Sequence, residues 1–121
     1  MNQIKVMVNG IPGNMAVRVA KHVLADDRFE LIPEALTGPE IQEKNHAVEA
    51  VTVNLIQPAM RTKSIADIKK THGDFLSVDY THPSAVNDNA KFYCEHNLPF
   101  VMGTTGGDRK LLEETVLSSS I

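Results

Sequence analysis

Apolar positions change their spacing repeatedly along this chain, and each change marks an element. In "IKVMVN" (4–9) apolar and polar residues alternate with β-branched side chains among them, which predicts a strand. "GIPGNMA" (10–16) breaks that pattern. From Asn14 the spacing becomes helical: Ala16, Val19 or Ala20, Val23 and Leu24 recur, with Arg18, Lys21 and His22 between them. "DDR" (26–28) ends the helix, and "FELIPEAL" (29–36) reads as a second strand. Pro33 has no N–H to donate, so that strand is expected to be kinked or near a sheet edge. "TGPEIQEKNHAVEA" (37–50) has little periodicity and reads as a polar connection. "VTVNLIQ" (51–57) predicts a short strand, "TKSIADIKKTHG" (62–73) a polar helix anchored by Ile65 and Ile68, and "FLSVDY" (75–80) another strand. Pro83 then stands at a first helical position, with Val86, Ala90, Tyr93 and Cys94 on one helical face that runs to residue 96. "PFVM" (99–102) predicts a short buried strand and "DRKLLEETVLSS" (108–119) a final helix.

Strands alternating with helices predict an α/β domain with an open, mostly parallel sheet, helices on both faces and right-handed crossovers. In such sheets ligands bind beyond the carboxyl ends of the strands, where the strand order reverses. Segments 10–15, 79–82 and 103–107 each follow a strand and are rich in glycine or polar residues, so the alternation places all three on one edge.

Bulk properties narrow the classes. A length of 121 residues fits one domain, 1–121, and 42% hydrophobic with 22% charged residues is ordinary for a soluble protein. A net charge of −3 argues against nucleic acid or an anionic membrane as the main partner. No apolar run approaches the ~18 residues of a membrane helix. The opening residues already read as a strand and turn rather than a targeting peptide, which makes the cytoplasm the expected location. Cys94 is the only cysteine, which excludes an internal disulfide and a multi-thiolate metal site. His22, His46, His72 and His96 lack metal-ligand spacing and read as surface residues; Met7 and Met102 read as core.

The chemistry gathers at the strand ends. A glycine turn after a strand brings bare backbone against a diphosphate, and the following helix offers unpaired N–H groups and partial positive charge. Here the spacing is Gly10-x-x-Gly13-x-x-Ala16, a partial match to G-x-G-x-x-G, because Pro12 stands at the middle glycine and supplies no N–H. The acidic residue that usually receives the ribose hydroxyls is replaced by Thr37, which does not repel a 2′-phosphate; this favours NADPH, or use of both cofactors, over strict use of NADH. Glu34 and Glu40 are nearby acidic alternatives for that role, weighed against plain surface charges, which is the commoner reading. Arg61 and Lys63 read as surface charges, which reach a phosphate only if the 57–63 loop folds towards the site. Asp79, at a strand end, is expected to accept hydrogen bonds from loop N–H groups and shape the turn, with Tyr80 as a wall of the pocket. In "GTTGGD", Gly103 lets the backbone run close beneath a flat ring, and Thr104 and Thr105 offer uncharged hydrogen bonds to a carboxamide. Gly106 and Gly107 permit positive φ before an N-cap at Asp108; the bland alternative is a flexible connector.

"VNGIPGNM", "VDYTHPSAVNDNA" and "PFVMGTTGGDR", in that order, resemble dihydrodipicolinate reductase (4-hydroxy-tetrahydrodipicolinate reductase), the last two especially its plant-type branch. The resemblance runs from about residue 4 to about residue 117 and is poor over 38–74. It implies a Rossmann-like dinucleotide-binding domain. The family's cofactor loop falls on Gly10, Ile11, Pro12, Gly13, Asn14 and Met15, its ribose position on Thr37, its nicotinamide-side turn on Tyr80, Thr81 and His82, and its G-T-T loop on Gly103, Thr104 and Thr105. It also implies hydride transfer from NADH or NADPH to a cyclic unsaturated dicarboxylate of lysine and diaminopimelate biosynthesis. By the same resemblance, the catalytic and substrate-binding groups belong mainly to a second, C-terminal domain, whose motifs do not occur in these residues. The expectation is therefore a chain truncated before the substrate domain, carrying no catalytic residue, that binds cofactor without turnover. The missing domain or a homo-oligomer partner would complete it. A stand-alone nucleotide-binding or regulatory module pairing through its sheet edge is the alternative, and a coenzyme A-binding domain a third.

Overall fold

The computed structural model describes residues 3–81 and 85–103, with the backbone only at Val86. Strand β1 (Ile4–Asn9) is its centre, and Val6, Met7, Val8 and Asn9 are all buried. Alternation sorts their side chains between two layers. Val6 and Val8 pack with Ala16, Ala20 and Val23 of helix α1 (Asn14–Ala25). Met7 packs with Ile65 and Ile68 of α2 (Arg61–His72) and with Phe92 and Tyr93 of α3 (Val86–Glu95). Helices thus cover both faces, as the alternation of elements requires.

Strand β1 lies between two parallel partners, β2 (Phe29–Leu31) and β6 (Leu76–Asp79), and β7 (Phe100–Met102) adds to β6, giving the order β2-β1-β6-β7. A second sheet, β3-β5-β4, joins β3 (Glu34–Leu36) in parallel with β5 (Val51–Ile56), and β5 in antiparallel with β4 (Asn45–Val48). The strand expected over 29–36 is the bridge between the sheets. Before Pro33, Ile32 N–H donates to the Val6 carbonyl at 2.8 Å; at Pro33 the carbonyl accepts from Asn54 N–H at 3.0 Å. Pro33 therefore bends the chain from one partner to another; it is exposed, between β2 and β3, each the outermost strand of its described sheet, as a kinked strand near an edge requires. Read through this junction, the chain builds outward from β1 in one direction and from β6 in the other, so the reversal of order falls between β1 and β6.

Other expectations need correction. Segment 37–50 contains β4, whose composition hides it: only Val48 of its residues is buried. Val48 pairs with Val51 across a two-residue turn in which Glu49 has φ 53°. The 57–63 segment is no loop but a 3₁₀ turn (Pro58–Met60) running straight into α2. Among the described side chains of α3, which exclude Val86, the buried ones are Asn89, Ala90, Phe92 and Tyr93, with Cys94 only half-buried. Strand β7 is the outermost of its described sheet, and Val101 is 52% exposed rather than buried. Helix α2 keeps Ile65 and Ile68 as its anchors and ends at Gly73 with φ 74°, where Lys69, Lys70 and His72 complement the helix dipole. The helix expected over 108–119, the 106–107 turn and Pro83 lie outside the described residues.

Candidate functional site

Because β1, β6 and β7 are parallel neighbours, their carboxyl ends reach one rim, and the ladder continues into the loops there. Tyr80 N–H donates to the Asn9 carbonyl at 3.0 Å and Gly103 N–H to the Asp79 carbonyl at 2.8 Å. On the other side Gly10 N–H donates to the Leu36 carbonyl and Thr37 N–H to the Ile56 carbonyl, each at 2.9 Å. The residues leaving the strands, Gly10, Thr37, Tyr80 and Gly103, are thereby fixed in a row. The expected convergence of 10–15 with the 79–82 turn and with the start of the 103–107 loop holds over the described residues.

Two glycines are demanded by this row. Gly10 has φ +108°, and a Cβ there would stand 2.5 Å from the Tyr80 carbonyl oxygen. A Cβ at Gly103 would collide with Tyr80 Cζ, so the tyrosine ring lies directly on bare backbone. Replacing Gly10 with alanine is expected to cost about 1–3 kcal/mol, from the left-handed φ and the backbone collision together, and to lower the thermal midpoint accordingly. From Gly10 the chain turns through a cis Ile11–Pro12 bond, closed by Gly13 N–H donating to the Gly10 carbonyl at 2.8 Å. Gly13 is the N-cap of α1, with no side chain capping the helix and no acidic residue in its first turn. The N–H groups of that turn and their partial positive charge face an uncapped end beside the glycines.

Asp79 is fully buried and saturated. One carboxylate oxygen accepts from Thr81 N–H (2.9 Å) and the Thr81 hydroxyl (2.6 Å). The other accepts from Asn89 Nδ2 (3.1 Å) and from the Tyr93 hydroxyl at a short 2.5 Å. The Tyr93 oxygen in turn accepts from Asn9 Nδ2 (2.9 Å), while Asn9 Oδ1 accepts from Leu36 N–H (2.8 Å). Burial holds the Tyr93 phenol well above the usual tyrosine range, and the charge and hydrogen bond of Asp79 add to it. This network ties β1, β3, β6 and α3 together immediately behind the rim. Asp79 has the turn-shaping role that its position predicts.

In front of the network lies a groove of about 870 Å³, within the range of small-molecule sites of ~300–1,000 Å³. Of the residues singled out from the sequence, Gly10, Pro12, Gly13, Thr37, Tyr80 and Thr81 line it. Ile11 does not: its side chain is core, 1% exposed. Asn14 and Met15 are exposed on the first turn of α1, outside the lining, and Gly103 lies behind Tyr80. His82, Thr104 and Thr105 lie outside the described residues. Sequence reasoning missed the far half of the groove. There Leu36, Pro39, Ile41, Ile56 and Pro58 give it an apolar lining, while Ala85 and Asn89 line it beside the Thr81 turn, to whose hydroxyl Asn89 Nδ2 donates at 2.8 Å. Two charges for which a solvated surface is the preferred reading from sequence also line it: Glu40, whose carboxylate folds against Gly38, and Arg61. The available signal was Gly38-Pro39 directly after a strand, in a segment read as a polar connector.

Fold and site define a Rossmann-like α/β domain with a glycine-turned groove at the point where its strand order reverses. The chain belongs to the dihydrodipicolinate reductase family: the family profile described as the N-terminus of dihydrodipicolinate reductase matches residues 4–120. Among its relatives are 4-hydroxy-tetrahydrodipicolinate reductase 1, chloroplastic, of Arabidopsis thaliana, 41% identical over 99% of this chain, and the reductase of Nocardia farcinica, 32% identical over 92%. They match it over 34% and 35% of their own lengths, so the chain spans about a third of the curated relatives and corresponds to their N-terminal domain. In fold it resembles the solved structure of a dipicolinate-bound dihydrodipicolinate reductase from Paenisporosarcina sp. TG-14, with a TM-score of 0.66 at 20% identity, over 96% of this chain and 43% of that one. The resemblance read from the three motifs is borne out.

Proposed function

We propose that this chain is the part of a 4-hydroxy-tetrahydrodipicolinate reductase that binds NADH or NADPH, and that alone it binds without turning over. When bound, the cofactor supplies a hydride. The chain's own residues hold and orient it. The Gly10–Gly13 turn and the open end of α1 receive the diphosphate, the apolar lining at Leu36 and Ile56 takes the adenine end, and Tyr80 forms the wall on the nicotinamide side. The observation that carries this reading is the meeting of the glycine turn, Thr37 and the Tyr80–Thr81 turn around one groove at the reversal of strand order. Gly10 and Gly13 line that groove with bare backbone, against which a diphosphate can lie. Hydride transfer further requires an acceptor held in near-attack geometry, which the reading assigns to the remaining two thirds of a relative-length protein.

Calorimetric titration of the 121-residue chain with NADH and with NADPH is expected to give saturable one-to-one binding of at least one of them. Absence of binding by both overturns the reading. Nicotinamide absorbance in the presence of the cyclic dicarboxylate is expected to stay constant with this chain alone; steady oxidation of the cofactor would place the reactive groups within these residues.

A further inference from the structure

We propose that Arg61 is the phosphate-reading group at the adenosine end of the groove, so that this domain prefers a dinucleotide carrying a 2′-phosphate; the inference rests on the cofactor reading above. Position comes first. The end of β3 pairs with the end of β5, Leu36 opposite Ile56, and the chain from Ile56 passes through the Pro58–Met60 turn into Arg61, the first residue of α2. Arg61 therefore lines the same groove as Thr37 and Gly38, the residues at the ribose position for a dinucleotide bound at the Gly10 turn.

Its side chain is prepared for an anion. The guanidinium carbon stands 4.4 Å from the centre of the buried Phe92 ring, and Nη1 donates to Asn89 Oδ1 at 3.0 Å. Stacking and this one bond fix the planar group while leaving most of its N–H donors for the groove. Among the described residues no carboxylate lies within ion-pair distance of Arg61. The buried Asp79 in the same network already has both oxygens occupied. Arg61, half-buried and without an ion-pair partner among the described residues, is stabilised by an incoming phosphate, which its guanidinium can grip through two parallel bonds. Thr37, 6% exposed, opposes no charge to it. The Glu40 carboxylate, folded against Gly38, is the single acidic group among the lining residues and the natural acceptor for an unphosphorylated ribose.

The test uses the 121-residue chain and two matched pairs of probes in calorimetric titration: adenosine 2′,5′-bisphosphate against AMP, and NADPH against NADH. The phosphorylated member of each pair is expected to bind at least about 10-fold more tightly. Arg61→Gln is expected to weaken the phosphorylated members about 10- to 100-fold while leaving AMP and NADH within about 3-fold. Arg61→Lys, which keeps the charge and loses the fork, is expected to fall between, and supports the assignment even where the glutamine variant folds poorly. Glu40→Gln is expected to weaken NADH and spare NADPH. Equal weakening of both members of a pair by Arg61→Gln would mean that the guanidinium stacks on the base or holds the diphosphate, and overturns the inference; so does no change. Those outcomes leave the cofactor reading standing, whereas a parent chain that binds neither dinucleotide brings down both.

Discussion

Glutamate at position 13 is expected to abolish measurable binding of NADH and NADPH while leaving the fold intact. Gly13 has φ −60° and ψ 148°, a conformation open to any residue, and its Cβ would meet only the Gly10 carbonyl oxygen, at 3.0 Å, so a small adjustment accommodates it. An acidic side chain at the start of α1 is even favoured by the helix dipole. The same carboxylate, however, stands where the diphosphate must lie. Repulsion between neighbouring charges at ~4 Å amounts to about 4 kcal/mol near a protein surface, equivalent to about 1,000-fold in affinity. Calorimetric titration measures the loss, and thermal unfolding checks that the fold persists. Unchanged affinity would show that the ligand does not sit on the glycine turn.

Removing one hydroxyl behind the groove is expected to have the largest effect on stability. Tyr93→Phe takes a donor from the buried Asp79 carboxylate and an acceptor from the Asn9 amide. Leaving two buried groups short of partners costs about 2–5 kcal/mol at neutral pH. The variant also changes the alkaline limb. Burial first, and Asp79 second, hold the folded phenol well above its ordinary range. Below about pH 10 the phenol is protonated whether the chain is folded or not, and its contribution is complete. Above that the unfolded chain releases the proton while the folded one retains it, so stability falls as pH rises towards the folded value, by about 1.4 kcal/mol per pH unit. Phenylalanine has no proton to release and removes this component of the slope. Urea midpoints at neutral pH and above pH 10 measure both effects. A parent chain that loses no more stability than the variant above pH 10 would refute the account.

The legible and illegible parts of this molecule differ in how they are encoded. Gly10 and Gly103 follow, and Asp79 ends, a strand whose alternation or apolar run can be read locally, and parallel pairing alone carries them to one rim. The far half of the groove depends on contacts with no local signature. Strand β4 buries one side chain, so its hairpin with β5 comes from register and not from hydrophobic pattern. Arg61 looks like any surface cation until the 3₁₀ turn after β5 directs it onto Phe92 and Asn89, residues that lie on a helix far along the chain. Tyr93 could be placed on a buried helical face, but its hydroxyl gains a role only when β1 and β6 lie side by side and bring Asn9 and Asp79 to it. Pro33 announced a bend without saying that the bend passes the strand from one sheet to the other.

Asn9 gives to one layer and takes from another: its amide nitrogen serves the Tyr93 phenol and its oxygen serves the main chain of Leu36. A carboxylate of the same shape has no proton to give, and an aliphatic side chain can do neither. Positions 9 and 93 are thus coupled through one buried hydrogen bond. Divergence at one is expected to call for a matching substitution at the other, and homologous chains lacking tyrosine at 93 are expected to have abandoned asparagine at 9 as well.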